Sequence, residues 1–148
     1  MLRAIHDLEP PQLDQQLDPA AQLRRPIQAP ADYGVPLPVW LQRCIENAPP
    51  GSGDSRPTDG EALLAAAFDF AYQLHEGQFR ATGEPYIIHP IAVADLLRDI
   101  GASPGVIAAG FLHDVVEDTD VIPEEIEQHF GAEVRALVEG VTKLGGIH

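Results

Sequence analysis

The sequence predicts an all-α fold, a bundle of short antiparallel helices. Three observations predict the helices. Apolar residues recur at helical spacing in separate blocks, such as Leu63, Ala67, Phe70 and Leu74, and later Val134, Leu137, Val138 and Val141. Prolines suited to a first helical turn (Pro90, Pro104, Pro123) alternate with glycines suited to a helix end (Gly77, Gly101, Gly131). No segment alternates in the manner of a half-buried strand, and no internal repeat is visible.

Each element follows in order. Residues 1–60 hold 10 of the 14 prolines, and Pro11-Gln12-Leu13-Asp14-Gln15-Gln16 is rich in glutamine. Such a segment buries too little apolar surface to offset its ordering entropy, so residues 1–36 read as a flexible tail. Residues 37–57 read as a short helix and a linker. Trp40, Leu41, Cys44 and Ile45 form one face of the helix, Pro38 stands near its first turn, and Ala48-Pro49-Pro50-Gly51-Ser52-Gly53 is the linker.

At Thr58 the character changes. Thr58-Asp59-Gly60-Glu61 has the capping-box pattern, and a helix over about 60–76 follows, stopped by Gly77. A loop runs through Gln78–Pro85. The second helix of this part begins at Pro90 with His89 at or near its cap, and Val93, Leu96, Leu97 and Ile100 form its apolar side. Ser103-Pro104 opens a third over about 104–117. A fourth runs from Pro123 to Phe130, and a fifth begins near Ala132.

Composition limits the function. The 148 residues carry 9 Lys+Arg against 23 Asp+Glu, a formal net charge of -14. That balance argues against nucleic acid and anionic membranes as partners, because both demand a basic face. The longest near-apolar runs, Ala62–Phe68 and Val106–Leu112, fall far short of the ~20 residues a membrane helix needs. The N-terminus has no apolar secretory core, and the single Cys44 suits a reducing compartment. The expected location is the cytoplasm.

Chemistry concentrates at the end of the third helix, His113-Asp114-Val115-Val116-Glu117-Asp118. Positions 113 and 117, 114 and 117, and 114 and 118 share faces, so one imidazole and three carboxylates gather at one end of an apolar helix. Burying such charges unpaired costs several kcal/mol, by order of magnitude. A divalent cation removes that penalty, and the mixed imidazole–carboxylate set suits Mn²⁺, Fe²⁺ or Zn²⁺ better than Ca²⁺ or Mg²⁺. The alternative is plain: acidic residues at a helix end facing water. His89 reads as a ligand or as a local cap, and His75 as a helix-end or supporting residue. His129 reads as a surface residue. Arg80, one of four basic residues after position 60, reads as a phosphate or base contact or as a surface partner of Glu84 or Glu76.

Three segments together resemble the hydrolase domain of the RelA/SpoT homologue family, a member of the HD superfamily of metal-dependent phosphohydrolases. They are His75-Glu76-Gly77-Gln78-Phe79-Arg80-Ala81-Thr82-Gly83-Glu84-Pro85-Tyr86-Ile87-Ile88-His89-Pro90, then Phe111-Leu112-His113-Asp114-Val115-Val116-Glu117-Asp118-Thr119, then Phe130-Gly131 with Glu139-Gly140-Val141-Thr142-Lys143-Leu144. The resemblance covers about residues 60–148, and a partial hydrolase domain is expected over 58–148. Residues 1–57 match nothing of use. The resemblance implies that His89, His113 and Asp114 hold Mn²⁺, that Glu117 and Asp118 position or activate water, and that Arg80 contacts the guanine base. The implied reaction removes the 3′-pyrophosphate of (p)ppGpp, and the parent chain is expected to act in the stringent response, with or without a synthetase.

Two departures bear on this expectation. Ala81 stands where many members carry Lys or another polar residue. The family's fourth ligand, an Asp in a downstream Ala-Asp-Arg helix, has no counterpart, since the last Asp is Asp120. The expected product is therefore a C-terminally incomplete fragment. The competing expectation is an inactive nucleotide-binding or interaction module that self-associates through an uncovered apolar face.

Overall fold

The computed structural model describes residues 27–48 and 59–145. Among the described residues the chain is an all-helical bundle without a β-sheet. The one extended pairing is an isolated antiparallel bridge between Phe79 and Pro85. A 3-10 turn, Pro30–Tyr33, precedes six helices: α1 Val39–Asn47, α2 Gly60–Leu74, α3 Ile88–Asp99, α4 Pro104–Asp118, α5 Pro123–Phe130 and α6 Ala132–Gly145. No helix among the described residues is long and apolar enough to cross a membrane.

Helix α4 lies at the centre, packed against α2, α3 and α6. Its Ile107, Ala108, Ala109, Phe111, Leu112 and Val115 are all buried. Such all-round burial is what a helix apolar on every side requires. Small residues set the spacing. A Cβ on Gly110 would stand 2.8 Å from Leu97 Cδ1, so any larger residue there requires the Leu97 side chain of α3 to shift. Phe68 of α2 meets Phe111 of α4 edge-on, ring centroids 5.7 Å apart, and Phe70 meets Phe130 of α5 at 5.2 Å. Val134 and Val138 close the core from α6, with Leu137 and Val141 partly buried beside them.

The helix ends follow local chemistry. Asp59 caps α2 by accepting from Ala62 N at 2.8 Å, one residue later than the expected Thr58 cap. Thr58 itself, the linker from Pro49 on and residues 1–26 lie outside the described residues. Ser103 Oγ accepts from Val106 N, and Pro104 begins α4 as expected. Ile122 N donates to Glu125 Oε1 at 3.0 Å at the start of α5.

Several expectations need correction. Tyr33, placed in the tail, is buried: its hydroxyl donates to Asp69 Oδ1 at 2.7 Å, and its ring meets Phe68 and Tyr72. A residue so held is part of the packed body, so the packing extends upstream of residue 36. Helix α3 begins at Ile88, not Pro90, and Ile87 occupies the cap position. His89 therefore lies inside the first turn, where Pro90 is tolerated because its missing N–H has no helical partner to lose. The buried residues of α3 are Pro90, Ile91 and Ala94; the expected Val93 and Leu97 face Gly110 of α4, while the expected Leu96 and Ile100 are exposed. His129 is half-buried against Phe70, centroids 5.0 Å apart, not a surface residue. Helix α1 docks as expected through Leu41, Cys44 and Ile45. Trp40 adds an Nε1 hydrogen bond to Asp95 Oδ1 at 2.8 Å, with Arg98 over its ring.

Candidate functional site

Two helices bring three of the sequence-predicted residues together. His89 comes from the first turn of α3, and His113 and Asp114 come from the second half of α4. Asp114 stands between the imidazoles. Its Oδ1 is 3.1 Å from His113 Nε2 and its Oδ2 is 3.6 Å from His89 Nε2. The close approach of α3 and α4 at Gly110 makes this meeting possible.

Gly110 also sets the protonation of His113. His113 Nδ1 lies 2.9 Å from the Gly110 carbonyl oxygen, which can only accept, so Nδ1 carries a proton. Nε2 is then the variable nitrogen. A lone pair there repels the adjacent Asp114 oxygen unless a proton or a cation lies between them. The hydrogen bond to Asp114 raises the His113 pKa against the opposing effect of burial. Burial pushes the Asp114 pKa upward, but the His113 hydrogen bond and the charges of both imidazoles outweigh it, and the net shift is downward.

Asp114 Oδ2 is buried without a close hydrogen bond, its neighbours being the His89 imidazole at 3.6 Å and the Tyr86 hydroxyl, which interacts with the carboxylate. A buried carboxylate oxygen in that state is costly, by about 1–3 kcal/mol or more. The donor set of two imidazoles and one carboxylate fits a transition-metal cation. The orphaned Oδ2 and the forced Nδ1–H of His113 fit one as well, since an imidazole ligand commonly donates its other N–H to a carbonyl. Among the described residues, however, no three His, Cys, Asp or Glu side chains form a ready-made cation cage. Here the three groups meet one another, with the carboxylate as the shared partner.

The remaining predicted residues lie further out. Glu117 and Asp118 occupy the exposed last turn of α4, which holds no basic residue. Carboxylates there oppose the helix dipole, a local cost that a purely structural helix end has no reason to carry. Asp118 Oδ2 accepts from the Tyr86 hydroxyl at 2.9 Å. Glu117 reaches His113 only through its charge, which supports the imidazolium. Arg80 is not brought to this group. It stands on the exposed loop, 4.0 Å from Glu84 Oε1, and the loop is closed by Arg80 N to Glu84 O at 2.9 Å.

Sequence reasoning missed Tyr86 and the full part of His75. Tyr86 carries a pKa raised by burial, by its Asp118 hydrogen bond and by nearby carboxylates. Its ring stands 4.8 Å from His75 and 6.1 Å from His89. His75, buried at the end of α2, bonds Gln78 Oε1 through Nδ1 at 3.0 Å. The available signal was Tyr86's place three residues before His89, one turn away if the chain is already helical there. A cleft of about 270 Å³ opens alongside, lined by Tyr72, His75, Gln78, Phe79 and Ile87 among others.

The sequence model of the HD domain family matches residues 67–148. A probable guanosine-3′,5′-bis(diphosphate) 3′-pyrophosphohydrolase of Synechocystis is 53% identical over 114 residues, 76% of this chain and 15% of the relative. That is more residues than 58–148 contains, so the likeness reaches upstream of 58, against the expectation that residues 1–57 match nothing. A protein named GTP pyrophosphokinase rsh in Brucella melitensis is 47% identical over 89 residues, 60% of this chain and 12% of its own. The guanosine-3′,5′-bis(diphosphate) 3′-pyrophosphohydrolase of Aquifex aeolicus is 53% identical over 84 residues, 57% and 12% respectively. The chain thus spans less than a sixth of the length of these relatives.

Proposed function

The chain belongs to the HD domain family and is homologous to RelA/SpoT-type proteins, and from that premise we propose that residues 58–148 supply part of a metal-dependent (p)ppGpp 3′-pyrophosphohydrolase. One observation carries the proposal: His89 and His113, from two helices, flank the buried Asp114 carboxylate, His113 Nε2 at 3.1 Å from Oδ1 and His89 Nε2 at 3.6 Å from Oδ2. In this reading those three residues hold Mn²⁺. When bound, the cation lowers the pKa of a water and offsets phosphate charge.

The protein's own groups do the rest. Asp114, held ionised by His113, supplies an anionic ligand across the neutral pH range. Gly110 orients His113 so that Nε2 faces the site. Glu117 and Asp118 position the attacking water and take its proton as its oxygen bonds to phosphorus. The bond from the nucleoside 3′ oxygen to the pyrophosphate breaks and that oxygen takes up the proton removed from water, releasing pyrophosphate and GDP or GTP. Arg80, on a loop that leaves its guanidinium exposed, stacks on the guanine base or forks onto phosphate once substrate is present. The proposed setting is the cytoplasm, which suits the single buried thiol of Cys44.

The test is pyrophosphate release from ppGpp with and without Mn²⁺, alongside calorimetric titration of the chain with Mn²⁺. The expected result is saturable Mn²⁺ binding and Mn²⁺-dependent release, both lost in Asp114→Ala. A variant as active as wild type removes Asp114 from the ligand set. A second reading, a nucleotide-binding module without turnover, is favoured by the absence of a preformed cation cage among the described residues. It predicts ppGpp binding with no pyrophosphate release.

A further inference from the structure

We propose that Tyr86 is a positioning residue for the site, its hydroxyl fixing Asp118 and its ring bracing His89 from the side backed by His75. The inference rests on the hydrolase reading above and assigns Tyr86 a part in it. The hydroxyl lies 2.9 Å from Asp118 Oδ2. The ring stands edge-on to His89, with an interplanar angle of 72°, and nearly stacked on His75, at 31°. Tyr86 is itself fixed from behind: its N–H donates to the Gln78 carbonyl at 2.9 Å, and His75 is held by the Gln78 side chain. One side chain therefore links the loop, the first turn of α3 and the last turn of α4.

The need for such a link is physical. Asp118 is exposed at the end of a helix, and with no other hydrogen-bonding partner among the described residues it would sample several rotamers. Its carboxylate and that of Glu117 repel each other and oppose the helix dipole. A phenol donating one hydrogen bond selects a single orientation and still leaves the other oxygen of Asp118 able to accept a proton from water. Tyr86 touches no reacting atom in this scheme; it acts through Asp118 and His89, and its hydroxyl also interacts with the Asp114 carboxylate, whose pKa it helps to lower.

The two contacts separate experimentally. Tyr86→Phe keeps the ring and removes the hydroxyl. It is expected to lower kcat for ppGpp roughly tenfold or more, with KM within about twofold of wild type and an unchanged Tm. Tyr86→Ala removes the ring as well, and Mn²⁺ affinity measured by calorimetry is expected to fall about tenfold. In an Asp118→Ala background, Tyr86→Phe is expected to have no further effect on kcat. Wild-type kcat in Tyr86→Phe, or an undiminished further loss on top of Asp118→Ala, overturns the assignment of the hydroxyl. Unchanged Mn²⁺ affinity in Tyr86→Ala overturns the assignment of the ring. A wild-type chain that neither binds Mn²⁺ nor releases pyrophosphate instead overturns the hydrolase reading, and this inference with it.

Discussion

Two buried aspartates sit on two neighbouring helices and solve the same problem differently. Asp69 on α2 and Asp114 on α4 are 4% and 8% exposed. Asp69 has both oxygens engaged, Oδ1 by the Tyr33 hydroxyl at 2.7 Å and Oδ2 by Gln73 Nε2 at 2.6 Å. Asp114 has Oδ1 against His113 and leaves Oδ2 without a close hydrogen bond. A carboxylate whose acceptor capacity is filled by neutral donors fastens one segment to another. One flanked by imidazoles, with an oxygen that no close donor reaches, joins two helices through titratable partners instead. The difference lies in the partners, not in the depth of burial.

The largest expected effect tests that distinction at Asp114. Asp114→Ala should lower Mn²⁺-dependent pyrophosphate release by at least a thousandfold, because ligand and anion are lost together. Its apo stability should change by no more than about 1 kcal/mol, since the deletion also removes an unsatisfied buried oxygen. Thermal unfolding in EDTA reads the second quantity. A large loss of apo stability would make Asp114 as structural as Asp69 and erase the contrast.

Asp69→Ala should do the reverse. It leaves the Tyr33 hydroxyl and the Gln73 amide without this acceptor, and a cost of about 2–4 kcal/mol follows from two lost hydrogen bonds to a charged group. Mn²⁺ affinity of the folded fraction should be unchanged. Denaturant unfolding and calorimetry decide it. Gly110→Ala sharpens the comparison further. The added Cβ meets Leu97 Cδ1 at 2.8 Å, and overpacking of this kind costs about 1–3 kcal/mol. Because the same residue orients His113, Mn²⁺ affinity should fall with stability, a coupling that Asp69→Ala lacks.

The two aspartates also differ in how legible they were. The helices were readable because capping, proline and glycine signals agreed with apolar periodicity, as at Ser103-Pro104 and Phe130-Gly131. The His113–Asp114 pair was readable because carboxylates crowded at the end of an apolar helix break a local rule. That His89 converges on them is a tertiary fact, and only the family resemblance anticipated it. Asp69 gave no signal, since its partner Tyr33 lies in a proline-rich stretch whose composition argues for a tail. Periodicity placed Val93 and Leu97 of α3 against α4 correctly but extended the same face to Leu96 and Ile100, which are exposed, because hydrophobicity alone cannot tell which of two adjacent apolar stripes meets α4.

The smallest effect is a pH dependence that belongs to Asp114 and His113 together. The His113 pKa is raised in the folded chain, chiefly by its hydrogen bond to Asp114, so its contribution to stability is full below the ordinary imidazole value and is lost as pH rises through the raised one. The Asp114 pKa is lowered, so its contribution is present above the ordinary carboxylate value and is lost as pH falls through the lowered one. The apo chain should therefore gain a modest stability maximum between the usual carboxylate value of about 4 and the ordinary imidazole value of about 6.5, falling as pH rises from there through the raised one. Unfolding in EDTA at a series of pH values should show the alkaline fall in wild type and lose it in Asp114→Asn. An alkaline fall that persists unchanged in Asp114→Asn would mean that the imidazolium is stabilised by something other than this carboxylate.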